Sequence, residues 1–184
     1  MRIWCEFRYR GFTTLMMRWL YFFSVFLHIL AAMVWIGGTI FIVIVLVPAL
    51  RQREFAGIAA PLVRWSGMRF RWVGWTCFGV LATTGIANLL LRGFGWQELQ
   101  SAEFWQGSFG YTLMIKLSLV AAILAVSALH DFFIGPRAAA AWQTNPAAAE
   151  TKRLRRWAVH LARLNLLLAL AAMALATMLI RGAP

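Results

Sequence analysis

Charged residues are scarce in this chain of 184 residues. They make up 13% of it, only six are acidic, and 62% of all residues are hydrophobic. Soluble globular domains average about 25% charged residues, because a polar surface must cover the apolar core. The scarcity of charge therefore excludes an ordinary water-soluble domain.

Cysteine is scarcer still. Cys5 lies in the N-terminal tail and Cys77 in an apolar segment, so we expect no disulfide. The sequence also has no CxxC pair, no glycine-rich nucleotide loop and no recognisable Ser/His/Asp set. These absences argue against soluble catalytic chemistry.

Long apolar runs are what the sequence has in abundance. The hydrocarbon core of a bilayer is about 30 Å thick, so a spanning helix needs roughly 20 apolar residues. Four runs meet this requirement, at about residues 20–47, 72–91, 111–133 and 158–180. The first is too long for a signal peptide and no small-residue cleavage site follows it, so we expect it to be retained. The sequence predicts an all-α membrane protein, a four-transmembrane-helix antiparallel bundle that forms one membrane domain over residues 1–184.

The net charge of +12 lies mostly between these runs. The first connection carries Arg51, Arg53, Arg64, Arg69 and Arg71, and the third carries Arg137, Lys152, Arg153, Arg155 and Arg156. The second connection has Arg92 as its only basic residue. Because cytoplasmic loops are enriched in Lys and Arg, we expect connections one and three inside and both termini outside. This predicts a multi-pass membrane protein with both termini outside, whose partner is the lipid bilayer and not nucleic acid.

The N-terminal tail disagrees with this orientation. Its basic residues would lie outside, and they are Arg2, Arg8, Arg10 and Arg18. Translation from Met16 or Met17 would remove three of the four, and the sequence leaves either start open.

The first connection also has an amphipathic character. Residues 51–71 interleave arginines with Phe55, Leu62, Trp65 and Phe70. This composition is typical of a helix that lies in the membrane interface with its arginines near anionic headgroups. We therefore interpret residues 51–71 as an interfacial connector.

Polar residues inside the spans are the candidates for function, because each is costly in lipid and normally faces the bundle interior. Helical spacing places those of each of the first three spans on one stripe. The three stripes are Tyr21, Ser24, His28, Trp35 and Thr39; Cys77, Thr84 and Asn88; and Thr112, Lys116, Ser127 and His130.

The predicted topology divides these residues into two layers. The outer layer contains His28, Asn88, Lys116 and, at its rim, Arg92; the inner layer contains Cys77, His130, His160 and Arg163. Lys116 and His130 are about 21 Å apart along one helix, so a single ligand atom cannot bind both. Two separate sites, or one site and one structural cluster, are implied.

The inner layer offers a pair of imidazoles. One loop joins the third and fourth spans, so these are expected to be antiparallel neighbours with His130 and His160 at similar depth. The pair could provide both axial ligands of a b-type haem, or two ligands of a metal. This requires that His160, rather than Asn165 about 140° away, points into the bundle.

The first span carries a familiar motif. Residues 27–38, LHILAAMVWIGG, resemble the opening helix of the CopD-like copper resistance proteins and of the related HemJ-type protoporphyrinogen oxidases. The third span, with Lys116 and later His130 before Gly135-Pro136, resembles the third helix of the same proteins. The resemblance implies that His28, Lys116 and His130 are functional. It associates HemJ-type members with haem or porphyrin and CopD-type members with copper.

Three functions remain open. The first is binding of haem b or a porphyrin in a redox role, with imidazole on the iron and Lys116 and Arg92 near the propionates. The second is copper binding or transport, using His28 with soft ligands such as Met33, Met114 or Cys77. The third is an accessory subunit or assembly factor that packs against other membrane proteins or copies of itself. The candidate cofactor-binding residues are His28, Asn88, Arg92, Lys116, His130 and His160, of which the three histidines are the candidate metal ligands. Without dense Met or Cys/His clusters, haem is favoured over copper.

Overall fold

The structure, a computed structural model, describes the backbone of residues 2–181 and the side chains of residues 15–177. Cys5 and the tail arginines before residue 15 lie outside the described side chains. Within the described backbone all regular structure is helical, with no strand. The α-helices are α1 (Arg2–Ile40), α2 (Val47–Ala49), α3 (Ala56–Leu91), α4 (Trp96–Gln100), α5 (Ala102–Gln106), α6 (Ser108–Ala128), α7 (Gly135–Thr144) and α8 (Ala149–Arg181).

Four helical runs are long and apolar enough to cross a membrane. They are Leu15–Ala49, Arg53–Leu91, Ser108–Thr144 and Ala149–Thr177. This confirms the predicted four-transmembrane-helix fold. With 29 to 39 residues each, the runs are about 44–58 Å long and exceed the hydrocarbon core of about 30 Å. In the last three runs, residues 53–71, 134–144 and 149–157 extend beyond the predicted spans on the side of the two basic connections, which we call the basic end.

The predicted interfacial connector is not a separate helix. From Ala56 onward it is continuous with the second span as the first part of α3. A short 3-10 turn, Arg53–Phe55, precedes it. The position of residues 51–71 relative to the bilayer stays a prediction.

The four spans share one small core. α1 packs against α3 and α8, α6 packs against α8, and α7 contacts α3. The buried cluster draws on all four spans and consists of Ala31, Trp35, Ile36, Cys77, Ile123 and Ala169. Large apolar side chains such as Phe22 and Trp72 instead lie exposed on the outside of the bundle. An apolar exterior around a small core is the arrangement expected of a protein whose surroundings are lipid.

Two of the spans contain a π-helical segment. These segments are Phe41–Leu46 and Leu129–Ile134, and each is followed one residue later by a proline, Pro48 or Pro136. The residue between segment and proline donates its N–H to the carbonyl five residues earlier rather than four. A proline inside a helix has no N–H and its ring clashes with the carbonyl four residues before it. The wider turn accommodates that clash, and both segments lie toward the basic end.

Candidate functional site

A cavity of about 1050 Å³ opens between the spans at the basic end. We call it the inner cavity. Trp35, Phe70 and Phe78 contribute to its apolar wall, and residues of both π-helical segments also line it. π-Helical turns are frequent at functional sites, because the extra residue displaces side chains from the regular helical faces. The two segments therefore mark this cavity as the candidate site.

Basic side chains dominate the charge of the inner cavity. Its lining cations are Arg51, Arg64, Arg71, Lys152, Arg155, Arg156 and Arg163, and Asp131 is the one acidic residue among the described lining residues. The buried Nε of Arg71 has no hydrogen-bond partner in the described part of the chain. Its guanidinium lies 5.4 Å from the centre of the Phe132 ring. A ligand that combines apolar surface with anionic groups would match both properties of the cavity.

His130 is held in place by a carboxylate. Its Nδ1 lies 2.9 Å from Oδ1 of Asp131, the one contact between a basic and an acidic side chain among the described side chains. The other carboxylate oxygen, Oδ2, accepts a hydrogen bond of 3.1 Å from Nε1 of Trp75 on α3. A carboxylate on one ring nitrogen fixes the imidazole and leaves the other nitrogen to bind a ligand, as in most metal-ligating histidines. The Trp75–Asp131–His130 set therefore has the arrangement that orients a ligating histidine, and the role of His130 as a ligand stays a prediction.

The local backbone around His130 depends on a glycine. Gly135 donates its N–H to the His130 carbonyl and closes the π-helical segment. A Cβ added at Gly135 would lie 2.9 Å from that carbonyl oxygen. This distance is too short for an ordinary contact, so the Gly135-Pro136 pair shapes the turn that presents His130.

His160 and Asn165 both line the inner cavity, from different faces of α8. Asn165 donates from Nδ2 to Oγ of Ser127 at 2.8 Å, so it points toward α6. His160 is exposed. The predicted imidazole pair requires His160 to point inward, whereas the structure directs Asn165 inward and leaves His160 at an exposed position of the same cavity. The role of His160 as a ligand stays a prediction.

The predicted outer layer is centred on His28, at the opposite end of the bundle. Nδ1 of His28 lies 2.8 Å from Oγ1 of Thr84, and Oγ of Ser24 donates to the Thr84 carbonyl at 3.3 Å. The His28 ring also lies against Gly85, where an added Cβ would be 3.6 Å from Cε1. The two predicted stripes of α1 and α3 thus meet through these polar groups.

The other outer-layer residues surround this contact. Arg92 donates from Nε to the Tyr21 hydroxyl at 3.0 Å. Lys116 is half-buried on α6 and is near enough for its charge to act on His28. Asn88 has a buried Oδ1 without a hydrogen-bond partner among the described residues. The structure therefore groups the predicted outer-layer residues at one end, and what they bind stays a prediction.

The soft ligands considered for copper do not gather around His28. Met33 is 65% exposed and Met114 is 43% exposed. Cys77 is buried in the core beside Trp35, about two helical turns along α3 from Thr84. Among the residues that the structure describes, no three His, Cys, Asp or Glu side chains form a group able to hold a metal ion.

Comparison with known proteins gives the family. Residues 66–179, more than half of the chain, match the family described as Copper resistance protein D. The chain belongs to the copper resistance protein D family. This family match begins in α3, so it includes His130, Asp131 and the α8 wall of the inner cavity, whereas His28 precedes it. The predicted resemblance to CopD-like proteins is confirmed, and a relation to HemJ-type proteins stays a prediction.

The chain is also similar to an uncharacterized protein of Aquifex aeolicus (strain VF5). The two are 28% identical over 146 residues, which cover 79% of this chain and 85% of the relative. No solved structure matches the chain.

Proposed function

We propose that this protein binds a b-type haem, or a related porphyrin, in the inner cavity and has a redox role in the bacterial inner membrane. We also infer that both termini are periplasmic, so that the basic end and its cavity face the cytoplasm. The observation that carries the proposal is the carboxylate-held His130 in a cavity with an apolar wall and many cations.

The residues of the inner cavity fit a porphyrin in three respects. Its volume of about 1050 Å³ is slightly above the usual range for small-molecule sites, about 300–1,000 Å³, so a large ligand can enter. Trp35, Phe70 and Phe78 offer an apolar wall for the macrocycle, and arginines such as Arg71 could pair with the propionates. His130 would hold the haem iron through Nε2, and His160, at an exposed position of the same cavity, would be the candidate second ligand. A bound haem would supply one-electron chemistry, and these residues supply ligation, exclusion of water and charge.

Copper is the second candidate, and the family description favours it. The donor set does not fit a buried copper centre, because no three His, Cys, Asp or Glu side chains come together within the described residues. His130 and Asp131 are adjacent donors, but their contact is with each other. The proposal of a copper function is therefore supported by the family description and not by the arrangement of the described side chains.

An absorption spectrum and metal analysis on one purified sample test the proposal. The wild-type protein is expected to show a Soret band and about one haem per chain. His130→Ala should lose the band while remaining monodisperse. His28→Ala distinguishes the two layers: a haem in the inner cavity survives this change, whereas the sequence-based prediction that His28 is a ligand expects the band to be lost.

Other outcomes decide between the remaining functions. A Soret band that depends on His28 and not on His130 would move the haem site to the outer layer. Stoichiometric copper without a Soret band would favour the copper function. A sample with neither would favour an accessory subunit or assembly factor that acts through packing alone.

A further inference from the structure

A second cavity lies beside the first at the basic end. Its volume is about 700 Å³, and it is enclosed by the turn after α2, the start of α3, the end of α7 and the start of α8. We call it the headgroup cavity. Its lining cations are Arg51, Arg53 and Arg155, and none of its described lining residues is acidic. Arg51 and Arg155 also line the inner cavity, whereas Arg53 lines the headgroup cavity and not the inner cavity.

Arg155 is held in a defined position within the headgroup cavity. Its guanidinium lies 3.7 Å from the centre of the Trp142 ring. When an arginine stacks on an aromatic face, its N–H groups point outward in the plane of the guanidinium and stay available for a bidentate partner. Arg155 is also half-buried. The stacked side chain is therefore pre-organised for an anion.

The fold places a second positive charge near this one. Arg51 is close enough to Arg155 for its charge to act on it. Like charges repel, and they repel more strongly near a protein surface than in bulk water. The one contact between a basic and an acidic side chain in the described part of the chain is elsewhere, between His130 and Asp131. An anion between the arginines would turn this repulsion into attraction.

The surroundings of the headgroup cavity indicate which anion. Its floor consists of small residues in the first turns of α3, including Gly57, Ala59 and Ala60, which leave room for a bulky group. Ile58 in the same turn is 55% exposed, and Phe55 just before it is 37% exposed. A cavity whose charged lining residues are all arginines, beside exposed apolar side chains, matches a molecule with an anionic head and an acyl chain.

We propose that Arg51, Arg53 and Arg155 form a binding site for the phosphate group of an anionic phospholipid. The phosphodiester accepts hydrogen bonds from the arginines, and an acyl chain lies along the apolar surface next to Ile58. The site shares Arg51 and Arg155 with the lining of the inner cavity but does not include His130 or Asp131, so the loss of haem from a His130 variant does not test it.

Thermal unfolding of the purified full chain in mixed micelles tests the site. The probes are phosphatidylglycerol, phosphatidylcholine and inorganic phosphate, each titrated separately. Phosphatidylglycerol should raise the unfolding temperature of the wild type, with little effect of the other two. Arg155→Gln should raise the half-saturating phosphatidylglycerol concentration by roughly tenfold or more, the value expected for a lost charged hydrogen bond.

Arg69→Gln is the matched control. Arg69 belongs to the same end of the chain and also lies over a tryptophan, Trp65, at 5.8 Å, but it lines neither cavity. It should respond to phosphatidylglycerol like the wild type. If Arg155→Gln does not fold, Arg51→Gln provides the same comparison.

Three results would overturn the proposal. The first is equal stabilisation by phosphatidylcholine, and the second is an equal loss in Arg155→Gln and Arg69→Gln, which would indicate diffuse attraction of charge. The third is full stabilisation by inorganic phosphate, which would assign the site to a free anion instead of a lipid.

Discussion

At the scale of single residues, the candidate site depends on a side chain that touches no ligand in the proposal. Asp131 accepts from Nδ1 of His130 through one oxygen and from Nε1 of Trp75 through the other. The carboxylate is held by two donors on different sides, so the Trp75 contact fixes Asp131 and Asp131 in turn fixes the His130 ring. In the haem proposal, Asp131 is thus a positioning residue that fixes the orientation of the His130 ring.

The substitution Asp131→Asn tests this role. His130 and Trp75 donate to different oxygens of Asp131, and an amide keeps only one of these two positions as an acceptor, so one of the two contacts is lost. We expect the affinity for haem to fall by roughly 10–100-fold, as is typical for loss of a group behind a metal ligand. Haem titration of the apo-protein, followed at the Soret band, measures the affinity, and the reduction potential of the bound haem should also change.

Trp75→Phe provides the comparison for Asp131→Asn. It removes the Nε1 donor but leaves the carboxylate on His130, so its effect should be smaller. Unchanged affinity and potential in Asp131→Asn would show that the carboxylate only packs beside the ring.

At the scale of the helices, close contact between α1 and α3 sets the position of the core. Gly38 on α1 faces Phe70 on α3, and an added Cβ at Gly38 would overlap the Phe70 ring. The neighbouring Gly37 has open space where its Cβ would be. Both glycines belong to the Trp35-Ile36-Gly37-Gly38 motif, but only the second is required by the packing.

We therefore expect Gly38→Ala to destabilise the protein and Gly37→Ala to have little effect. Overpacking by one methyl group typically costs about 1–3 kcal/mol of unfolding free energy. The intrinsic preference of alanine for helix is the same at both positions, so the difference between the variants isolates the packing term. Unfolding in detergent measures it. Equal stability of the two variants would mean that the Phe70 ring moves aside without cost.

At the scale of the whole molecule, the fold separates charge between its two ends. Residues of the first and third connections line the same two cavities at the basic end, including Arg51 and Arg155. The connection at the other end carries Arg92 with Glu98 and Glu103. Because basic loops are retained on the cytoplasmic side of a membrane, this separation of charge predicts that the basic end faces the cytoplasm.

Reporter fusions test that orientation. A reporter after residue 100 should be active as a periplasmic fusion, and one near residue 145 should be active as a cytoplasmic fusion. We expect this pattern because basic loops are retained on the cytoplasmic side of the membrane. The opposite pattern would place the inner cavity and the headgroup cavity toward the periplasm.

Sequence alone was sufficient for the number of spans and for the polar stripes. Apolar runs of about 20 residues form transmembrane helices in lipid, because a helix satisfies its own backbone hydrogen bonds. Regular helical spacing then places Ser24 and His28 on one face of α1 and Thr84 on one face of α3, and these faces meet. Periodicity predicts such contacts wherever a helix is regular.

The inner cavity and the direction of His130 within it could not be predicted from the sequence and follow from the tertiary structure. Leu129–Ile134 is π-helical, so a periodicity of 3.6 residues does not describe the direction of His130, although Pro136 after it is a signal of irregularity. The contact of Asp131 with Trp75 joins residues that are far apart in sequence and depends on how α3 packs. Spacing within one helix fixes which side chains share a face, but which face meets which partner follows only from packing all the spans together.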